Sequence, residues 1–203
     1  MSFKFMTLLK YSSKGNSENA KKSKVLVGLC KNGNISFAEN VSSKIKELNA
    51  ENYFDDSVLI PIPRSSPLVP GAVFPSKILS DNLVKNGLGN SVYPILNRVK
   101  SITKSSNNYS AETRPTIPTH LDSLSVDPII ILESTLILID DVFTLGRTAM
   151  ASAIKLKENF PNKDIKIFCP FRTRSFLDDN ILVSLEMGEM TLSIDGNGVK
   201  LPN

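Results

Sequence analysis

The chain has 203 residues, 41% of them hydrophobic and 22% charged, enough for one sizeable domain with a filled core. No apolar run approaches the roughly 18 residues of a membrane span, and the N-terminus lacks the uninterrupted apolar core of a secretory signal. The net charge of +4 is uneven: residues 1–24 hold six lysines and one glutamate, so the remainder is close to neutral. This argues against a nucleic-acid-binding surface, because the basic character belongs to one segment without interleaved aromatics. Cys30 and Cys169 are far apart, with no CxxC pair and one histidine in the chain, which argues against zinc. Free thiols without an export signal predict a cytoplasmic protein.

In chain order, residues 1–24 read as a solvated, lysine-rich lead-in, and residues 1–50 as an N-terminal extension. The run "SVLIPIP", Ser57–Pro63, is β-rich, apolar and ended by proline, which predicts a buried strand. "RSSPLVPGAVF" is a loop broken by Pro67, Pro70 and Gly71. "PSKILSDNLVKNG" opens on proline, carries Ile78, Leu79 and Leu83 on one face and ends in Asn-Gly, which predicts a helix over 75–87. "SVYPILN", Ser91–Asn97, is a second strand candidate. The polar stretch Arg98–Pro128, with three prolines and little periodicity, predicts a lid-like loop. Its lone His120 is an acid–base candidate or an incidental loop residue.

Residues 135–149, "TLILIDDVFTLGRTA", carry the chemistry. Five residues of a buried strand run into adjacent carboxylates, Asp140 and Asp141, which repel each other and are costly to bury. A turn of Thr144, Gly146 and Thr148 then enters a helix over 146–160, which places backbone amides, hydroxyls and a positive helix end beside the acids. That pairing suits a phosphorylated sugar, with its phosphate in the turn and its hydroxyls on the acids. A P-loop would need GxxxxGK[ST], and an aspartyl-phosphate hydrolase would need Asp-x-Asp; neither is present. "DIKIFCPF", Asp164–Phe171, is the next strand. The alternating tail with Asp-Gly-Asn-Gly predicts an added β-hairpin over 176–203. Strand–helix–strand, twice, indicates an α/β fold with a mostly parallel sheet.

"LILIDDVFTLGRTA" resembles the phosphoribosyl-pyrophosphate (PRPP) motif of type I phosphoribosyltransferases. Asp140, Asp141, Val142, Phe143, Thr144, Gly146 and Thr148 match it, Leu145 stands where that family usually has a hydroxyl, and Arg147 takes the variable position. "IPIPRSSP" and "CPFRTRS" look like segments of the competence-protein-F group of that superfamily, without its four-cysteine zinc module. The resemblance implies a Rossmann-like open sheet with helices on both faces and a core over 51–175. Residues 1–50 or 176–203 would supply a hood.

It also implies transfer of ribose 5-phosphate from PRPP to a nitrogenous base, with release of pyrophosphate and with Mg²⁺ bound mainly through PRPP. Asp140 and Asp141 would hold the sugar, residues 142–148 (Leu145 and Arg147 included) the 5′-phosphate, and Arg64, Ser65 and Ser66 the pyrophosphate. Lys100, Lys104 and Arg114 are the candidates in the closing loop. The alternative is a non-catalytic PRPP or nucleotide sensor acting through a protein partner, and a homodimer is compatible with either.

Overall fold

The computed structural model describes residues 1–103, 113–174 and 181–202. Strand β1 (Ser2–Tyr11) leads into helices α1 (Glu18–Lys31) and α2 (Ile35–Glu47). Both start on side-chain caps: Ser17 accepts from the Ala20 amide at 3.1 Å, and Asn34 Oδ1 from the Phe37 amide at 2.8 Å. Then come β2 (Ser57–Pro61), α3 (Pro75–Lys85, with proline in its first turn), β3 (Ser91–Val92) and β4 (Leu96–Arg98). Helix α4 (Ile117–Leu121), β5 (Leu124–Val126), β6 (Thr135–Ile139), β7 (Val142–Phe143) and α5 (Arg147–Asn159) follow. The chain closes with β8 (Asp164–Thr173), β9 (Val183–Leu192) and β10 (Val199–Lys200).

The main sheet has eight strands in the order β10-β9-β1-β8-β6-β2-β3, with β7 also paired to β8. Strands β1, β8, β6, β2 and β3 are parallel, while β9 and β10 add an antiparallel hairpin at one edge. The alternation of a strand buried on both faces divides the core in two. Leu136 and Leu138 of β6 join Val58, Ile60 and Ile167 under α5. Ile137 and Ile139 face the other way, with Leu59 and Phe168, under α1, α2 and α3. The architecture is therefore α/β, with a mostly parallel mixed sheet flanked by helices. Among the described residues no helix is long and apolar enough to cross a membrane.

Three sequence expectations change. The lysine-rich lead-in is not a solvated arm: residues 2–11 are a strand between β8 and β9, with Phe5, Met6 and Leu8 almost wholly buried. Its lysines obscured an apolar alternation that only sheet pairing on both sides makes use of. The strand expected at Ser91–Asn97 is interrupted at Pro94: β3 joins the main sheet, whereas β4 pairs antiparallel with β5 in a small second sheet. Arg98–Pro128 is not one long loop, because α4 and β5 occupy its second half and bury Ile117 and Leu124 against α5.

Candidate functional site

The site lies where four neighbouring parallel strands end. In sheet order β1, β8, β6 and β2 deliver Lys14, Thr173, the 140–148 loop and Arg64 to one cleft of about 550 Å³. Ligand clefts of open α/β sheets form at this carboxyl edge, where the loops diverge. A smaller cavity of about 70 Å³ opens over residues 142–149.

The 140–148 loop follows directly from the sequence. Asp140 stays tied to the sheet, its amide donating to the Phe168 carbonyl at 3.2 Å. Asp140 Oδ1 accepts the Asp141 amide at 2.9 Å, and Asp141 Oδ1 accepts the Val142 amide at 2.7 Å. Each carboxylate thereby turns one oxygen to its own backbone. Burial, and then the neighbouring charge of Asp141, push the Asp140 carboxyl well above the usual carboxylate range, and Lys31 pulls it partly back.

Phe143 turns its ring into the core against Phe5, with centroids 5.0 Å apart, so only its backbone belongs to the loop. Gly146 makes the corner at φ 70°, where a Cβ would meet the Phe143 ring at 3.1 Å. Gly146 also caps α5 and offers no side chain to the first turn, so the helix starts on this loop without a side-chain cap. The Thr144 and Thr173 hydroxyls hydrogen-bond at 2.8 Å, joining the loop to the end of β8.

The facing wall comes from β4 and α4. Arg98 is 4% exposed; its Nε donates to the Arg64 carbonyl at 3.0 Å and its Nη1 to Ser123 Oγ. Burial lowers its pKa to about 10, and the charge of Asp140 across the cleft opposes that shift. His120 is 2% exposed, and neither ring nitrogen has a hydrogen-bond partner among the described residues. Burial, then the charges of Arg98 and Arg147, lower its pKa to about 4, so it is neutral at physiological pH.

Of the residues singled out in the sequence, Asp140, Asp141, Val142, Thr144, Thr148, Arg64, Ser65, Arg114 and His120 line the large cleft. Leu145, Gly146 and Arg147 line the small cavity with Phe143. Arg147 Nη1 donates to the Arg114 carbonyl at 3.1 Å, which ties the loop to the segment before α4. Ser66 and Lys100 are exposed and line neither cavity, and Lys104 lies outside the described residues.

Sequence reasoning missed Arg98, Lys14 and Lys31 and gave His120 no firm role. Arg98 follows directly on the strand candidate at 91–97, a position that could have marked it. Lys14 was hidden in what looked like a solvated lead-in, and Lys31 in the rest of the N-terminal extension. No protein-family model matches this chain, and no curated protein does. The geometry of the cleft therefore carries the functional argument.

Proposed function

We propose that the protein binds PRPP and transfers its ribose 5-phosphate to a nitrogenous base, releasing pyrophosphate. The observation that carries this reading is the charge pattern of the cleft. Two carboxylates sit beside an uncapped helix start, and five basic side chains line the same space: Lys14, Lys31, Arg64, Arg98 and Arg114. A cleft that is net positive but has acids at its floor suits a polyanion with hydroxyls between its charged ends.

In this reading the 5′-phosphate rests on the amides of the 144–148 loop, and Asp140 and Asp141 accept the ribose hydroxyls. Positive charge develops at C1′ as pyrophosphate departs, and the two carboxylates are placed to favour it. Arg64 and Ser65 meet the pyrophosphate, while Arg98 fixes the Arg64 carbonyl from behind. The protein then acts mainly by positioning and by fixed charge. Mg²⁺ would be held mainly through PRPP, since it keeps water and phosphate oxygens as its main ligands, with the two carboxylates close by. Bound there, it would neutralise charge on the leaving group.

The test is to incubate the protein with PRPP, Mg²⁺ and a panel of bases, and to measure PRPP binding by calorimetry and pyrophosphate release. Binding with release is expected; no heat with PRPP would sink the reading. Two observations favour the sensor as a second reading: Arg64 Nη1 is turned to the Val73 carbonyl at 3.2 Å, and Leu145 offers no hydroxyl. Tight PRPP binding without pyrophosphate release from any base would select it.

A further inference from the structure

The cleft has a second charged wall that PRPP does not account for. Across the sheet edge, β2 and β1 lie on opposite sides of β6 and β8. With strands about 4.8 Å apart, the end of β1 lies about 10 Å from the end of β6, on the side away from Arg64. That wall consists of Tyr11 at the end of β1, Ser13 and Lys14 just after it, Lys31 at the end of α1, and Thr173. Tyr11 is half-buried, and both lysines are exposed. Neither lysine has an ion-pair partner among the described residues.

The turn that carries Lys14 is held in place. The Ser12 amide donates to Ser23 Oγ at 3.3 Å, the Gly15 amide to Ser12 Oγ at 3.0 Å, and Lys24 Nζ to the Gly15 carbonyl at 2.7 Å. A Cβ at Gly15 would come within 2.7 Å of Ser12 Oγ and 2.9 Å of Ala20 Cβ, so the turn closes this tightly only with glycine. Lys14 is thus presented to the cleft by a strand end and a pinned turn.

Displacement at C1′ proceeds in line, with the nucleophile opposite the leaving group. If pyrophosphate lies at the β2 end, which rests on the function proposed above, the acceptor enters from the β8–β1 side. We infer that the acceptor is an anion: a planar nitrogen heterocycle bearing a carboxylate, its ring toward Tyr11 and its carboxylate met by Lys14 and Lys31. A neutral base would leave both ammonium groups without an ion-pair partner, Lys31 keeping only its longer-range attraction to Asp140. An anionic one gains charge-assisted hydrogen bonds there. In the transfer, the ring nitrogen's lone pair forms the bond to C1′ while the C1′–O bond breaks. The departing pyrophosphate oxygen keeps that electron pair. An N–H acceptor loses its proton to solvent; a pyridine-type nitrogen has none to lose.

The experiment uses acceptor pairs that differ only in the carboxylate: orotate against uracil, and nicotinate against nicotinamide. PRPP binding is measured first by calorimetry with Mg²⁺, then pyrophosphate release is measured with each acceptor for the wild type and for Lys14→Met. The expected result is a preference of about tenfold or more in kcat/KM for a carboxylate-bearing member, the size of one charged hydrogen bond. Lys14→Met should raise the KM for that acceptor by about tenfold and the KM for PRPP far less, and Lys14→Arg should restore most of the loss. If PRPP binds but the carboxylate gives no advantage, or no acceptor of either kind is used, the inference is overturned and PRPP binding stands. An advantage that Lys14→Met leaves intact also overturns it. If PRPP itself does not bind, the proposed function fails and the inference fails with it.

Discussion

The loop after β6 and the segment from β4 to α4 face each other across the cleft, and they hold charge in opposite ways. On the first side, Asp140 and Asp141 are adjacent carboxylates, steadied by the amides that follow them and in no ion pair among the described residues. On the second side, the buried Arg98 is held by the Arg64 carbonyl and the Ser123 hydroxyl, while the buried His120 has no partner for either ring nitrogen among the described residues. Burial, and then the neighbouring charge of Asp141, favours the proton-bound form of Asp140, while burial, and then the charges of Arg98 and Arg147, favours the proton-free form of His120. A charged Asp140 is thus disfavoured on one side of the cleft and a charged His120 on the other.

Substitutions on the two sides should separate these roles. The largest effect is expected at Asp141→Asn: PRPP affinity should fall about 10- to 100-fold, the equivalent of one charged hydrogen bond at roughly 1.5–3 kcal/mol. The melting temperature should barely move. A collapse of melting temperature with unchanged affinity per folded molecule would make Asp141 a structural residue.

Gly146→Ala comes next. It places a methyl group 3.1 Å from the Phe143 ring on a left-handed backbone, which should cost about 1–3 kcal/mol in chemical denaturation. Unchanged stability would mean that the corner adjusts freely.

On the opposite wall, His120→Leu removes two unpartnered nitrogens and should stabilise the protein by about 1 kcal/mol at pH 7. It should also flatten an acid limb. The folded pKa of about 4 lies below the ordinary 6.5, so stability contributed by neutral His120 is present above pH 6.5 and is lost as pH falls towards 4. Melting curves across that range check both points, and an equal acid limb in the variant would refute the assignment.

The smallest effect is expected at Asp140→Asn in metal-free buffer, where melting temperature should rise slightly at neutral pH. The folded carboxyl titrates above its ordinary 3.8, so the wild type loses stability as pH rises from there through the folded value, and the amide does not. A lower melting temperature for this variant at pH 7 would contradict the proposed burial of charge.

How far the sequence carried this picture depended on whether a signal was local. The strand-acid-turn-helix string at 135–149 was legible because its apolar run, its adjacent carboxylates and its glycine corner are contiguous. Helix α3 was legible from its proline start and Asn-Gly stop, and the β9–β10 hairpin from its alternation and Asp-Gly-Asn-Gly turn. Strand β1 was not, because its partners β8 and β9 lie more than 150 residues away and its lysines lowered its apparent hydropathy. Arg98 and His120 were obscured for a related reason: the polar composition of 98–128 gave no sign of a two-strand pairing between Leu96–Arg98 and Leu124–Val126. Lys14 became a cleft residue only once β1 was placed in the sheet beside β8.

The position of β1 has a consequence for biosynthesis. Its ten residues insert between strands formed by residues 164–173 and 183–192, so on the ribosome this segment must wait for most of the chain to emerge. At roughly 5–20 residues per second, that wait is about 10–30 s. During it, Phe5, Met6 and Leu8 have no sheet to bury them, and the β2–β6–β8 block assembles with an unpaired edge at β8. A bulky fusion ahead of Ser2 would therefore slow the last strand's entry more than one placed after β10.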